Sequence, residues 1–410
     1  MKQLLLTALI APTCTAALAQ SGLTLYGTAD VGVTSTSGLR GGTIRQLSSG
    51  IMDGSRLGVR GSEDLGGGWR ALFTLEHRLE LDTGGLSNRP ASGTQLPDRV
   101  SQATLLGLPA ALQPVVGAVA AGIGNSVGVN LGGAFWDRQA YVGLVTPVGA
   151  VLAGRQYTPA YEVLANFDTL GTQSSLSAGQ VAALPAGVDI RASNSVAYRL
   201  QFGGFSAAAM AAAGEGSATT GRLLGLNAIY KGPSYSVGIG HNTRDNERGE
   251  SSLRSTVLGA TVDVGPGRLS AMFGQVEDEH PSGLSGIAAS VTPAVGAATA
   301  ALVQGAFVNG FRQDARLAHL GYRLTMGAET VYIAVSRFDD RRIANADTRS
   351  FGLAWSHALS KRTDLSAVAT RFVNSGSGQA APGGAGYIGG VTDTAGTDSS
   401  SLALGLRHRF

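Results

Sequence analysis

The chain holds one cysteine, Cys14, and three lysines, at positions 2, 231 and 361. It also lacks any window of the roughly 18 uninterrupted apolar residues that a membrane-crossing helix requires. Residues 1–19 read as a signal peptide: Lys2 precedes an apolar run over residues 4–10, and Ala17-Leu18-Ala19 forms a small-residue cleavage site before Gln20. Cys14 falls inside that segment. The mature chain, 20–410, is therefore expected to be exported without disulfides, thiol redox chemistry or thiolate metal ligands. With so few lysines, nearly every cation is arginine, which stays charged in any surroundings and carries a planar fork of donors.

Other absences narrow the function. A formal net charge of +3 leaves no polybasic surface, so no nucleic-acid partner is expected. The six histidines, at 77, 241, 280, 319, 357 and 408, show no metal-ligand spacing, and no G-x-S-x-G or phosphate-binding loop occurs. Gly66-Gly67-Gly68 reads as a turn. Neither a metal, a cofactor nor a catalytic set is expected.

What the chain does have is period two. In residues 23–33, Leu23, Leu25, Gly27, Ala29, Val31 and Val33 share one face while Thr24, Tyr26, Thr28 and Asp30 share the other. The pattern recurs along the chain to make sixteen segments in all, ending with SLALGLRHRF, and the connections between them alternate between short and long. Short ones, such as 63–68, 146–149, 203–204 and 231–234, carry turn residues. Long ones include 34–55, 81–137, 158–190 and 277–315. A soluble meander has no reason to sort loop lengths to its two ends, whereas an outer-membrane barrel does. Closure also removes the unpaired edges that lipid cannot satisfy. The expected fold is all-β: a 16-stranded antiparallel transmembrane β-barrel with short periplasmic turns and long external loops.

Parity then sorts the charges. Arg56 and Arg60 oppose Leu57 and Val59; Arg70 and Arg78 oppose Phe73 and Leu75; Arg191 and Arg199 oppose Val196, Tyr198 and Leu200. These arginines are expected to face the lumen. Arg138 is ambiguous, because Ala140, Val142 and Leu144 share its face. Arg155 begins the third long connection, which carries Glu162 and Asp168. Two apolar inserts, 107–133 and 284–308, admit two readings: apolar loops packed over the rim, or a subunit latch or surface contact. Pro109, Pro114 and the glycines argue against a spanning helix in the first.

The terminal Phe410 after alternating leucines resembles the signal by which Gram-negative barrels are recognised by the barrel assembly machinery. With LTLYGTADVGV, SRLGVRGSEDLGGGWRALFTLE, DRQAYVGL and GRQYTPAYEVLANFD, the chain resembles a general porin of the Gram-negative family, of betaproteobacterial type. That resemblance implies a homotrimer in the outer membrane, among its lipids and lipopolysaccharide, passing small hydrophilic solutes and ions. It also implies that the third loop folds inward, with Glu162 and Asp168 facing a basic wall of Arg56, Arg138 and Arg191; Arg60 is counted with that wall. Arg70, Arg78, Arg155 and Arg199 are expected as further lumenal charges. Because lumenal arginines outnumber loop acids, mild anion preference is expected. The competing functions are a surface adhesin or receptor barrel and an outer-membrane barrel enzyme.

Overall fold

The computed structural model describes residues 22–410 apart from 89–95, 127–129, 172–173, 183–188, 218–219 and 384–388. The expected signal peptide, 1–19, lies outside the described residues. The strands are β1 (Gly22–Leu39), β2 (Gly42–Ser49), β3 (Arg56–Gly66), β4 (Trp69–Arg78), β5 (Gln139–Thr146), β6 (Gly149–Tyr157), β7 (Arg191–Phe202) and β8 (Phe205–Ala212). They continue as β9 (Leu223–Lys231), β10 (Tyr235–Asp245), β11 (Ser251–Val264), β12 (Gly267–Asp278), β13 (Gln313–Met326), β14 (Glu329–Asp340), β15 (Asp347–Ala358), β16 (Thr363–Ser375) and β17 (Ser399–Arg409). Helices α1 (Gln113–Asn125), α2 (Pro159–Phe167), α3 (Ala178–Ala182), α4 (Ile287–Val295) and α5 (Ala297–Phe311) all lie in connections.

Every strand from β3 to β17 pairs antiparallel with the next, and β1 pairs with both β3 and β17, so sixteen staves close on themselves. The seam is tied at its end: Gly27 and Phe410 exchange backbone hydrogen bonds of 3.1 and 3.2 Å. Outward rows are apolar and exposed, as at Leu23, Leu25, Leu402 and Leu404. That is the face lipid demands, with the alternate row turned to the lumen.

The seventeenth strand corrects one expectation. Residues 34–55 are not simply a loop: β1 runs on to Leu39, and β2 returns along it from Gly42, with Val33 opposite Leu47. This extension is rich in Ser and Thr and lacks an apolar row, so no lipid-facing period betrays it. Between β2 and β3 the chain dips into the lumen. The Asp30 carboxylate accepts the amides of Ile51, Met52 and Asp53 at 3.0, 2.9 and 2.7 Å, pinning the dip.

The third long connection folds inside. Thr158 caps α2 by accepting the Tyr161 amide, and Pro159 stands in the first turn, where its missing N–H costs nothing. Ala160, Val163, Leu164 and Phe167 form the buried face, against Ile229, Val257, Met272 and Leu317 from the inner wall. Lumenal glycines make the seat. A Cβ on Gly240 would stand 2.9 Å from Val163 Cγ2, and one on Gly238 would stand 2.6 Å from the Phe167 ring. Both are closer than real Cβ contacts. Farther on, Leu170 and Leu176 pack with Ile51 and Met52 from the dip and with Ala334, Ala354 and Val368 of the wall. The loop therefore lines the β8–β16 side and leaves open the side formed by β1 and β3–β7.

The two apolar inserts become helical. Pro114 sits in the first turn of α1, where proline begins a helix rather than breaking one. No helix is long and apolar enough to cross a membrane among the described residues. The apolar faces of the inserts meet each other in one core, with Val116, Ala120, Val303 and Phe307 buried together.

Candidate functional site

Charges accumulate at the upper ends of β3–β7, opposite the inward loop. Glu76 on β4 is the hub. Its Oε1 accepts Arg138 Nε at 2.6 Å, its Oε2 accepts the Tyr26 hydroxyl at 3.1 Å, and Arg56 Nε lies 3.6 Å from Oε2. Arg56 also pairs in a fork with Asp53, at 2.6 and 3.1 Å. Arg138 is buried at 5% exposure. Outward parity would have placed it with Val142, but the β4–β5 ladder ends at Gln139, so Arg138 stands outside the pleat and its side chain turns inward. This settles the ambiguity of its sequence position.

Tyr157, at the end of β6, joins two cations. Its hydroxyl accepts Arg138 Nη2 and Arg191 Nη2, each at 3.1 Å, and Arg191 lies over its ring, 4.7 Å from the centroid. The ring in turn stacks on Tyr161 of α2 at 5.2 Å. Arg191 makes no ion pair among the described residues. It is held by a phenol and a π-face, an arrangement worth about 0.5–2 kcal/mol that leaves its charge uncancelled.

Arg78 is paired twice, with Asp137 at 3.2 Å and Glu80 at 3.4 Å. Glu80, just beyond the strand, is 1% exposed, and burial pushes its carboxyl up to about 7 despite the adjacent Arg78. Arg60 lies 5.2 Å from the centroid of the Tyr26 ring, without a carboxylate partner among the described residues. Arg70 is exposed near the periplasmic end, opposite Asp64 and Val145.

The loop acids do not stand where they were expected. Glu162 meets Arg199 of β7 at 2.6 Å and accepts Asn227 Nδ2 at 2.8 Å, away from Arg56, Arg138 and Arg191. Asp168 is buried beneath the loop, its Oδ1 accepting the Leu170 amide at 3.0 Å and lying 3.9 Å from His319 Nε2. His319 also contacts the Thr169 and Ser336 hydroxyls, at 2.9 and 2.8 Å, tying the loop to β13 and β14. Arg155 lies opposite Ala140, on the row of Val142 and Ala153, and donates to the Asp137 carbonyl and Ser193 Oγ. Its register places it at the rim beside the cluster. Sequence reasoning passed over Glu76, Asp53, Asp137 and Tyr157. Parity puts Glu76 on the charged face with Thr74 and Arg78, although it was not singled out as a site residue, whereas Asp53 and Tyr157 gain their roles only through space.

The fold and the sequence both have relatives. The family model for Gram-negative porins matches residues 6–377. Outer membrane porin protein 32 of Delftia acidovorans is 26% identical across the whole of both chains. An outer membrane porin protein of Bordetella pertussis is 24% identical, also across the whole of both. Among solved structures, an anion-selective porin from Comamonas acidovorans superposes with a TM-score of 0.70 at 22% identity, covering 95% of this chain and 100% of that one. OmpT of Vibrio cholerae, in its trimer form, gives 0.58 at 12% identity, covering 95% and 99%. With sixteen closed staves, a lipid-facing apolar row and an inward-folded third loop, the chain belongs to the Gram-negative porin family, channels of the outer membrane.

Proposed function

We propose that the channel is a mildly anion-preferring diffusion pore whose narrowest passage runs between the inward loop and the arginine-bearing wall of β3–β7. Six arginines serve it: Arg56, Arg60, Arg78, Arg138, Arg191 and Arg199. They face five carboxylates, Asp53, Glu76, Glu80, Asp137 and Glu162. The observation that carries this reading is Arg191, held by Tyr157 without a carboxylate. Fixed charges in a narrow aqueous space bias permeant ions, here toward anions. Because Glu162 is paired with Arg199 and Asp168 is covered, the loop presents little opposing negative charge. The relative from Comamonas acidovorans, named as anion-selective, is consistent with that sign.

Passage needs no conformational step or energy source: solutes diffuse, oriented by the charged wall. The protein assembles as a homotrimer in this reading, as the trimer form of OmpT does. Two measurements test the proposal. Liposome swelling with small sugars requires an open channel, and the reversal potential in a salt gradient gives the sign. A barrel that admits no sugar, or one that prefers potassium over chloride, would defeat it.

A further inference from the structure

The connection from β4 to β5 carries α1, and that from β12 to β13 carries α4 and α5. Around the ring, the first leaves between the third and fourth staves and the second between the eleventh and twelfth. They are eight staves apart in a barrel of sixteen, hence rooted at opposite points of the rim. Sixteen strands spaced about 4.8 Å and tilted about 40° make a ring about 30 Å across. With 13 and 15 residues, α1 and α5 measure about 20 and 22 Å, ample to meet between the two roots.

The two connections share one apolar core. Val116 of α1 and Ala300, Val303 and Phe307 of α5 are each 0% exposed. No charged residue occurs between Arg99 and Asp137 or between Glu279 and Arg312, so nothing in either helical stretch resists burial. Polar ties fix the line of contact. Arg99 donates to the Gly310 carbonyl at 2.9 Å, and Arg342, from the β14–β15 loop, reaches the same oxygen at 3.3 Å. Asp98 is held by Arg40 at 2.5 Å and by Gln379 at 3.2 Å, which brings in the loops beside β1 and β17.

From this geometry we infer that the two inserts form a fixed cross-bar over the extracellular mouth, which selects solutes by size before they reach the charged passage. The bar, with the loops of β1, β14 and β16 tied to it, covers the half of the mouth from β13 round to β4. Solutes enter over β5–β12, where the connections 213–222 and 246–250 carry no helix among the described residues and 158–190 folds inward. This assigns the inserts a role in specificity, resting on the open channel proposed above.

The test uses neutral sugars, so that charge plays no part, and compares swelling rates for stachyose and arabinose in liposomes holding the full-length protein. Val303→Asp/Phe307→Asp places two charges in the bar's core, and retained heat-modifiable migration reports an intact barrel. The stachyose-to-arabinose ratio is expected to rise several-fold; an unchanged ratio overturns the inference. A second variant does not depend on the first. A Cβ built on Gly310 lies 3.1 Å from Val100 Cγ1, a spacing suited to a disulfide, and the single native thiol, Cys14, lies in the expected signal peptide. Val100→Cys/Gly310→Cys should oxidise fully and keep the parent ratio, oxidised or reduced. Failure to crosslink would show that the inserts do not meet, and a rise on reduction would show a bar that swings open, contrary to a fixed filter. If arabinose failed to enter in every variant, the channel reading itself would fall, a result separate from an unchanged ratio.

Discussion

The charge surplus at the passage can be tested by removing one guanidinium, Arg191, without disturbing an ion pair. An ion passing about 6 Å away in a nearly aqueous dielectric of about 80 feels about 0.7 kcal/mol. At physiological salt, with a Debye length of about 8 Å, screening cuts this to about 0.35 kcal/mol. A chloride gains that energy and a potassium ion loses it, so the two differ by about 0.7 kcal/mol, a factor of about 3 in relative permeability. Arg191→Gln should therefore lower the chloride-to-potassium ratio about threefold, read as a reversal potential across a planar bilayer. The control removes a cation and its own anion together. Arg138→Gln/Glu76→Gln deletes the 2.6 Å pair and leaves the net charge of the passage unchanged, so its ratio should stay at the parent value. If Arg191→Gln left selectivity unaltered, or if the charge-neutral double variant shifted it equally, the surplus would not be what orders the ions.

Three further outcomes follow from the same contacts. Glu80, with its carboxyl near 7, takes up a proton as the pH falls from 8 to 6, leaving Arg78 with one acid fewer. Anion preference should rise over that interval and stay flat in Glu80→Gln; a parallel rise in both proteins would assign the titration elsewhere. Asp168→Asn should leave ion selectivity unchanged, since the carboxylate is buried beneath the loop, and a clear loss of cation current in that variant would show that the carboxylate reaches the water. Phe167→Ala removes a ring with 1% exposure from the glycine seat, a change of about 3–5 kcal/mol for such truncations. The expected readout is a larger and noisier single-channel conductance at unchanged barrel content, and a steady parent-like current would mean that the loop is held by other contacts.

The barrel was legible because lipid imposes a rule on every residue that faces it. Alternation over sixteen segments marks the staves, and the same parity turns Arg56, Arg60, Arg78 and Arg199 inward without reference to any distant partner. Where lipid stops, so does that legibility. The returning strand β2, the inward turn of Arg138 and the helical state of the inserts all lie at or beyond the ends of the apolar rows, where no period is enforced. The partners of the charges also needed three dimensions. Glu76, Tyr157 and Arg191 come together from three strands with Arg138 from just before β5, and Glu162 finds Arg199 rather than the arginines it was expected to face. The sequence by itself determined a closed barrel with arginines in its lumen, because hydrogen-bond satisfaction and burial in lipid act residue by residue. Only the tertiary structure decided where the third loop rests, since Gly238 and Gly240 on β10 open a seat for Phe167 and Val163. It also decided which arginines keep their charge unpaired and that two distant inserts share one core, because those outcomes depend on which surfaces the closed ring brings into contact.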